Sequence, residues 1–259
     1  MRLSRALLAF TGAGALVIGA TSFASASVPI SASAPVKPAA VACNQAALVA
    51  AVTAANAAGG GTITLTAGCT YTLTSSNGND GVNGPDGLPI ITTPITFSGN
   101  ADIITRAATA PAFRIAQVTT AGGLTLDAVT LSGGDATAAG DDNGGGILNF
   151  GAVTLTGSAL SGNTALGLGG ALYGSGAGSA STFTSSTISG NAAHQGAGLA
   201  VVLATFTATS SVITDNAATV DPGGIYFSAG TGTLNTTSVT ANTPTNCVGS
   251  PSPVAGCVG

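Results

Sequence analysis

The chain has 259 residues, with only five Lys or Arg and nine acidic residues, for a formal charge of −4. All nine acids are Asp, so nothing offers a basic patch to nucleic acid or anionic lipid, and acidic polysaccharides would be repelled at long range. One His and four Cys at unsuitable spacings argue against a Cys-ligated metal, and no resident cofactor is expected.

The N-terminus reads as a targeting segment. Arg2 and Arg5 precede an apolar run over 6–20 and the small-residue triplet Ala24-Ser25-Ala26, the pattern of a secretory signal peptide (1–26) cut after Ala26. The run is too short and glycine-interrupted for a membrane span, and no later stretch supplies one. Cleavage leaves three cations (Lys37, Arg106, Arg114) against nine aspartates, a net −6. The mature protein is therefore expected outside the cell, free or wall-associated. Residues 27–42, rich in Ser, Pro and Ala, read as a flexible linker.

From Cys43 the chain is expected to form one domain, 43–259. Asn44 is placed to N-cap a helix with Leu48, Val49 and Val52 on one side, ending at Gly59-Gly60-Gly61. Such a cap over 43–61 would cover the open end of whatever follows. Four cysteines in an exported chain read as two disulfides, for which three connectivities exist. The local one pairs Cys43 with Cys69 across the cap and Cys247 with Cys257 across a Pro-rich tail, 243–259.

Beyond a glycine-rich excursion at 76–89 and an irregular stretch with Phe97, Ile103, Ile104, Phe113 and Ile115 as core candidates, the chain repeats itself. The ten-mers TLTGSALSGN, TFTSSTISGN, TATSSVITDN and TLNTTSVTAN end at Asn163, Asn191, Asn216 and Asn242, and a weaker copy ends at Gly134. Between them lie GGGIL, GGALY, GAGLA and PGGIY, with steps of 25, 27 and 26 residues from Ile147 to Leu172, Leu199 and Ile225. A fixed period in this range marks a solenoid. Within each ten-mer, apolar and Thr or Ser residues alternate, which makes the unit a set of short strands with one buried face. The expected fold is all-β: a right-handed parallel β-helix whose coils span 62–242. Those 181 residues make about seven coils. The terminal asparagines are expected in left-handed turns, which Asn and Gly tolerate, and stacked as a hydrogen-bonded ladder.

The alternation of GG-apolar segments with Ser-x-Asn or Thr-x-Asn segments resembles the repeats of polymorphic membrane proteins. CNQAALVAAVTAANAAGGGTITLTAGCTYTLT, GLPIIT, APAFRI and NTPTNC together resemble secreted β-helix proteins of high-GC Gram-positive bacteria with the pectin-lyase-like architecture. The first resemblance implies surface adhesion, although the C-terminal barrel of those adhesins has no counterpart here. The second implies the fold.

The function expected is non-catalytic binding or adhesion at a cell surface, with cell-wall or host glycans or surface proteins as partners. The alternative is a polysaccharide lyase or glycoside hydrolase. A lyase needs a base beside a uronate carboxylate, often with Asp-bound Ca²⁺. The catalytic candidates are Arg106 and Arg114, the only basic residues in the coils, and the acidic pair Asp141 and Asp142; Asp102 is placed to pair with Arg106. Calcium could be held at Asp80 and Asp86 or at Asp141 and Asp142, although no EF-hand pattern occurs. His194, the sole histidine, falls in a loop. As binding candidates, Thr154/Thr156, Thr182/Thr184 and Thr207/Thr209 recur once per coil as Thr-x-Thr, interrupted by Asp127 and Asn235. Arrays of this kind make ice binding a minor alternative.

Overall fold

The computed structural model describes residues 39–259 apart from 139 and 141, so the signal peptide and most of the linker lie outside the described residues. The described chain winds into a parallel β-solenoid of about five turns. One turn runs through the strands Ile147–Asn149, Ala152–Thr156 and Ala159–Ser161 and the short corner strand Thr164–Ala165. Each pairs in parallel with its counterpart one turn on: Leu172–Ser175, Ala180–Thr184, Thr187–Ser189 and Ala192–Ala193. These stacks form a glycine-led wall, a threonine wall, a serine/threonine wall and a corner. The turn count falls below seven because the corner column starts only at Asp135–Ala136, although the threonine wall already has rungs at Gly61–Thr64 and 94–98.

Period two decides what enters the core. Leu155 and Leu160, then Phe183 and Ile188, point inward and are buried. In the irregular stretch Phe97, Ile104, Phe113 and Ile115 are buried as expected, but Ile103 is half-exposed and its neighbour Asp102 is buried instead. Asp102 is satisfied there by the N–H groups of Cys69 and Asn100, each at 2.8 Å. Later in the rod, Phe206 fills the space left by Gly232, where a Cβ would come within 2.5 Å of the ring. Phe206 also meets Phe227 edge to face, with ring centroids 5.7 Å apart.

The two ladders at the corners hold the coils in step. The asparagine ladder exists, but its geometry differs from the expected turn. Left-handed backbone falls on the preceding residue: Gly162, Gly190, Asp215 and Ala241 have φ of 62°, 66°, 55° and 56°. The asparagines turn their side chains into the wall and are buried. Asn191 Oδ1 accepts from the N and Nδ2 of Asn163 (2.9 and 3.0 Å), and Asn216 Oδ1 accepts from those of Asn191 (3.1 and 2.8 Å). Asn242 Oδ1 repeats this with Asn216 at 3.1 and 2.9 Å. Gly134 is likewise not the turn residue, which is Gly133; its N–H donates to Asn163 Oδ1 at 2.9 Å. A side chain at Gly134 has no room, since its Cβ would sit 2.1 Å from Gly145 O. A second ladder runs along the next corner. There Ser158 Oγ accepts from Val129 N, Ser186 Oγ from Ser158 N and Ser211 Oγ from Ser186 N, at 3.1 to 3.2 Å.

Both ends are closed. The helix Gln45–Ala58 is capped by Asn44, whose Oδ1 accepts from Ala47 N, and ends at left-handed Gly59. It buries Leu48 and Val52 on the first rungs. The end of the expected linker is not loose, because Val41 bridges in parallel to Leu65. Cys43 is bonded to Cys69 and Cys247 to Cys257. At the far end Asn246 extends the asparagine ladder, its Oδ1 accepting from the N and Nδ2 of Asn242 at 3.2 and 2.9 Å. Replacing Asn191 with Ala strands the paired donors of Asn163 and is expected to cost about 3 kcal/mol in denaturant unfolding. Thr187→Ala, exposed on the same coil, is expected to cost less than about 0.5 kcal/mol.

Candidate functional site

Alternation turns one threonine of every rung of the threonine wall toward solvent. The register aligns Thr62, Thr96, Thr125, Thr154, Thr182, Thr207 and Thr233 in one column. The expected Thr-x-Thr pairs are all in register, and this first column is unbroken over seven rungs. Asp127 and Asn235 interrupt only the second column, that of Thr64, Ser98, Thr156, Thr184 and Thr209. The adjoining wall adds a third unbroken hydroxyl column, Thr72, Thr105, Ser132, Ser161, Ser189, Thr214 and Thr240. Neighbouring rungs lie about 4.8 Å apart. Outside Asp127 and Asn235, the wall is thus a regular grid of neutral hydroxyls and methyls.

A buried ion pair lies on another wall. The excursion at 76–89 forms a small antiparallel hairpin, with Gly78 opposite Asp86, laid against the glycine-led wall. Under it Arg114 is buried, with a side-chain exposure of 1%, and pairs with Asp86, at 0%, across 3.2 Å. Arg114 also donates to Asn83 O (2.6 Å), to Asn143 O (3.2 Å) and to Gln117 Oε1 (3.5 Å). One guanidinium therefore ties both surface loops to the rod. Gln117 in turn donates to Asp80 Oδ2 at 2.7 Å.

Burial pushes the Asp86 carboxyl up from 3.8 to about 7, against the pull of the Arg114 guanidinium. Burial likewise lowers Arg114, with Asp86 opposing. Burial also raises Asp80, but donors from Asn83, Gln117 and Val82 outweigh it and hold that carboxyl below its ordinary value. Both Asp80 oxygens are taken up by these donors, which also include Asn83 Nδ2 at 2.6 Å. Asp80 and Asp86, named together for calcium, thus serve two different partners.

The other candidates scatter. Arg106 pairs with Asp135 at 3.2 Å rather than with Asp102, gives its remaining N–H groups to the carbonyls of Gly133, Ala107 and Ala110, and stacks on Phe113. His194 is exposed, with Nδ1 at 2.9 Å from Thr219 Oγ1. Asp141 lies outside the described residues. Asp142 is exposed and borders a cleft of about 340 Å³ between the two loops and the glycine-led wall. Arg114, Asn83, Asn143, Phe150 and Tyr173 also line it. Sequence reasoning missed Phe150 and Tyr173; their signal was an aromatic at outward positions of GGGILNF and GGALY, where a solvated strand face needs none. Among the described residues, no three or more His, Cys, Asp or Glu side chains gather to hold a metal ion, and no helix is long and apolar enough to cross a membrane.

No protein-family model, curated protein or solved structure shows significant similarity to this chain.

The raised Asp86 carboxyl sets a pH dependence. A group that binds its proton more tightly when folded contributes stability that is fully present below its unfolded pKa, and that is lost as pH rises through the folded one. Unfolding free energy is therefore expected to fall between about pH 4 and pH 7, from the ordinary value of 3.8 to the raised one. Asp86→Asn is expected to flatten that slope in denaturant titrations across the range. Asp80, lowered, acts oppositely: its contribution is present above the ordinary value and is lost as pH falls below it.

Proposed function

We propose that the protein is an exported, non-catalytic rod that binds neutral glycans at a cell surface or in the extracellular matrix through its threonine wall. The observation that carries this reading is the unbroken column of seven threonines from Thr62 to Thr233. A straight row of hydroxyls with methyls between them can both donate to and accept from a sugar chain, and it carries no charge that would select an ion. The two disulfides fit an oxidising compartment. The motif resemblance to pectin-lyase-like β-helix proteins and to polymorphic-membrane-protein repeats agrees with an extracellular rod, adhesion being its simplest use. A non-catalytic role is supported by the two arginines, whose N–H groups are directed at carbonyls and carboxylates that build the fold.

The test is a pull-down of the mature protein on insoluble cell-wall and host glycan fractions, beside a triple variant with Thr154, Thr182 and Thr207 changed to Val. Valine keeps the shape and removes three hydroxyls, so retention is expected to drop about tenfold or more. Retention by no fraction, or equal retention of the triple variant, sinks the reading. In parallel, a polysaccharide panel incubated with and without Ca²⁺ is expected to gain no new chain ends; turnover would put the lyase or hydrolase in its place. The same column favours a second reading, ordering of water at an ice surface, for which freezing hysteresis abolished in the valine variant is the signature.

A further inference from the structure

The glycine-led wall carries a second feature that the threonine wall lacks: a concavity with aromatic sides. Tyr173 pairs in register with Leu148, on the strand that leads into Phe150, and both Phe150 and Tyr173 line the cleft of about 340 Å³. That volume is at the lower end for ligand pockets, enough for one or two sugar rings. The backing is rigid, because Arg114 bonds to the carbonyls of Asn83 and Asn143 and so fixes the loops on both sides. Tyr173, Ser175 and Asp142 line the same cleft, and no described residue bonds to their hydroxyl or carboxylate groups. The site therefore combines flat apolar rings with uncommitted donors and acceptors. A pyranose presents the complementary surface, with C–H groups on its faces and hydroxyls around its edge. Arg114 is paired with Asp86 and linked through Gln117 to Asp80, and Asp142 lines the cleft, so the local charge disfavours an acidic sugar.

We propose that the cleft between the 76–89 hairpin and the segment carrying Asp142 and Asn143 is a dedicated subsite for a neutral sugar ring, stacked on Tyr173 and Phe150 and bonded by Tyr173 Oη, Ser175 Oγ and Asp142. The choice of ligand class rests on the glycan-binding reading, but the site lies on a different wall and stands or falls on different residues.

The test is calorimetric titration of the mature protein with cellohexaose, mannohexaose, xylohexaose and, as the acidic probe, hexagalacturonate. At least one neutral probe is expected to bind about tenfold or more tightly than hexagalacturonate. Tyr173→Ala is expected to weaken that probe about tenfold, and Tyr173→Phe and Asp142→Asn each a few-fold, the phenylalanine keeping the stack while losing the hydroxyl. Thermal unfolding checks that each variant is folded; should Tyr173→Ala fail, the conservative pair carries the test. Neutral probes that bind no better than hexagalacturonate, or variants that bind like the wild type, overturn the subsite. Binding that survives in the Tyr173 variants but is lost in the threonine-wall valine variant overturns the subsite alone. No binding of any probe together with no retention on glycan fractions overturns both readings.

Discussion

Everything in this rod depends on satisfying polar groups at a corner that repeats every turn. The strands hand their backbone hydrogen bonds to the next coil, but the residues that bend the chain between strands cannot pair as strands do, and they are shielded from water. A buried amide left alone there would cost more than a neighbouring apolar contact returns. Asn163, Asn191, Asn216 and Asn242 solve this with one side chain per coil. From Asn191 on, each Oδ1 takes two donors from the coil before it, Asn163 Oδ1 takes the N–H of Gly134, and each Nδ2 reaches back to a carbonyl, as Asn216 does to Ile188 O at 3.0 Å. The serine ladder does the same at the next corner with a single atom, Ser186 Oγ accepting from one coil and donating to its own Thr184 O.

With the corners held, coil length becomes free to vary. Along the first threonine column the steps run from 25 residues, between Thr182 and Thr207, to 34, between Thr62 and Thr96. The surplus is expelled onto the glycine-led wall, where the hairpin at 76–89 and the segment of Asp142 and Asn143 lie. An expelled loop with no partner would be loose, and the buried Arg114–Asp86 pair replaces that looseness with a fixed arrangement. A buried ion pair is seldom a net gain over apolar packing, yet it specifies one geometry. Regularity on one wall and a built concavity on another follow from the same division of labour.

The repeating half of the molecule was legible because its signals are local. Period-two alternation identified Leu155, Leu160, Phe183 and Ile188 as core, the ten-mer ends located the ladder, and the bracketing of the cap by Cys43 and Cys69 located a disulfide. What stayed hidden depends on register between unequal coils. Thr62 and Thr96 belong to the threonine column, but nothing near them in sequence reveals it, since the step between them differs from the period. Ion pairing is hidden for the same reason: Asp102 is close to Arg106 in sequence but faces inward, while Asp135 stands one coil on at the right height. Asn tolerates φ above zero and so reads as the turn residue, yet Gly162, Gly190, Asp215 and Ala241 take that conformation and free the asparagine to face the wall.

The ladder also has a direction. From Asn163 to Asn242 every amide gives one Nδ2 hydrogen to the Oδ1 of the next asparagine toward the C-terminal end, and never the reverse. The start is a glycine N–H, at Gly134, and the finish is Asn246, whose own Nδ2 donates to Val258 O in the tail tethered by Cys247 and Cys257. Each intermediate coil presents the same socket upward and the same plug downward. Gene duplication or deletion of one whole repeat would therefore change the number of rungs without asking any other residue to adapt. Length in such a molecule is inherited in units of one coil, and the two ends travel with it unchanged.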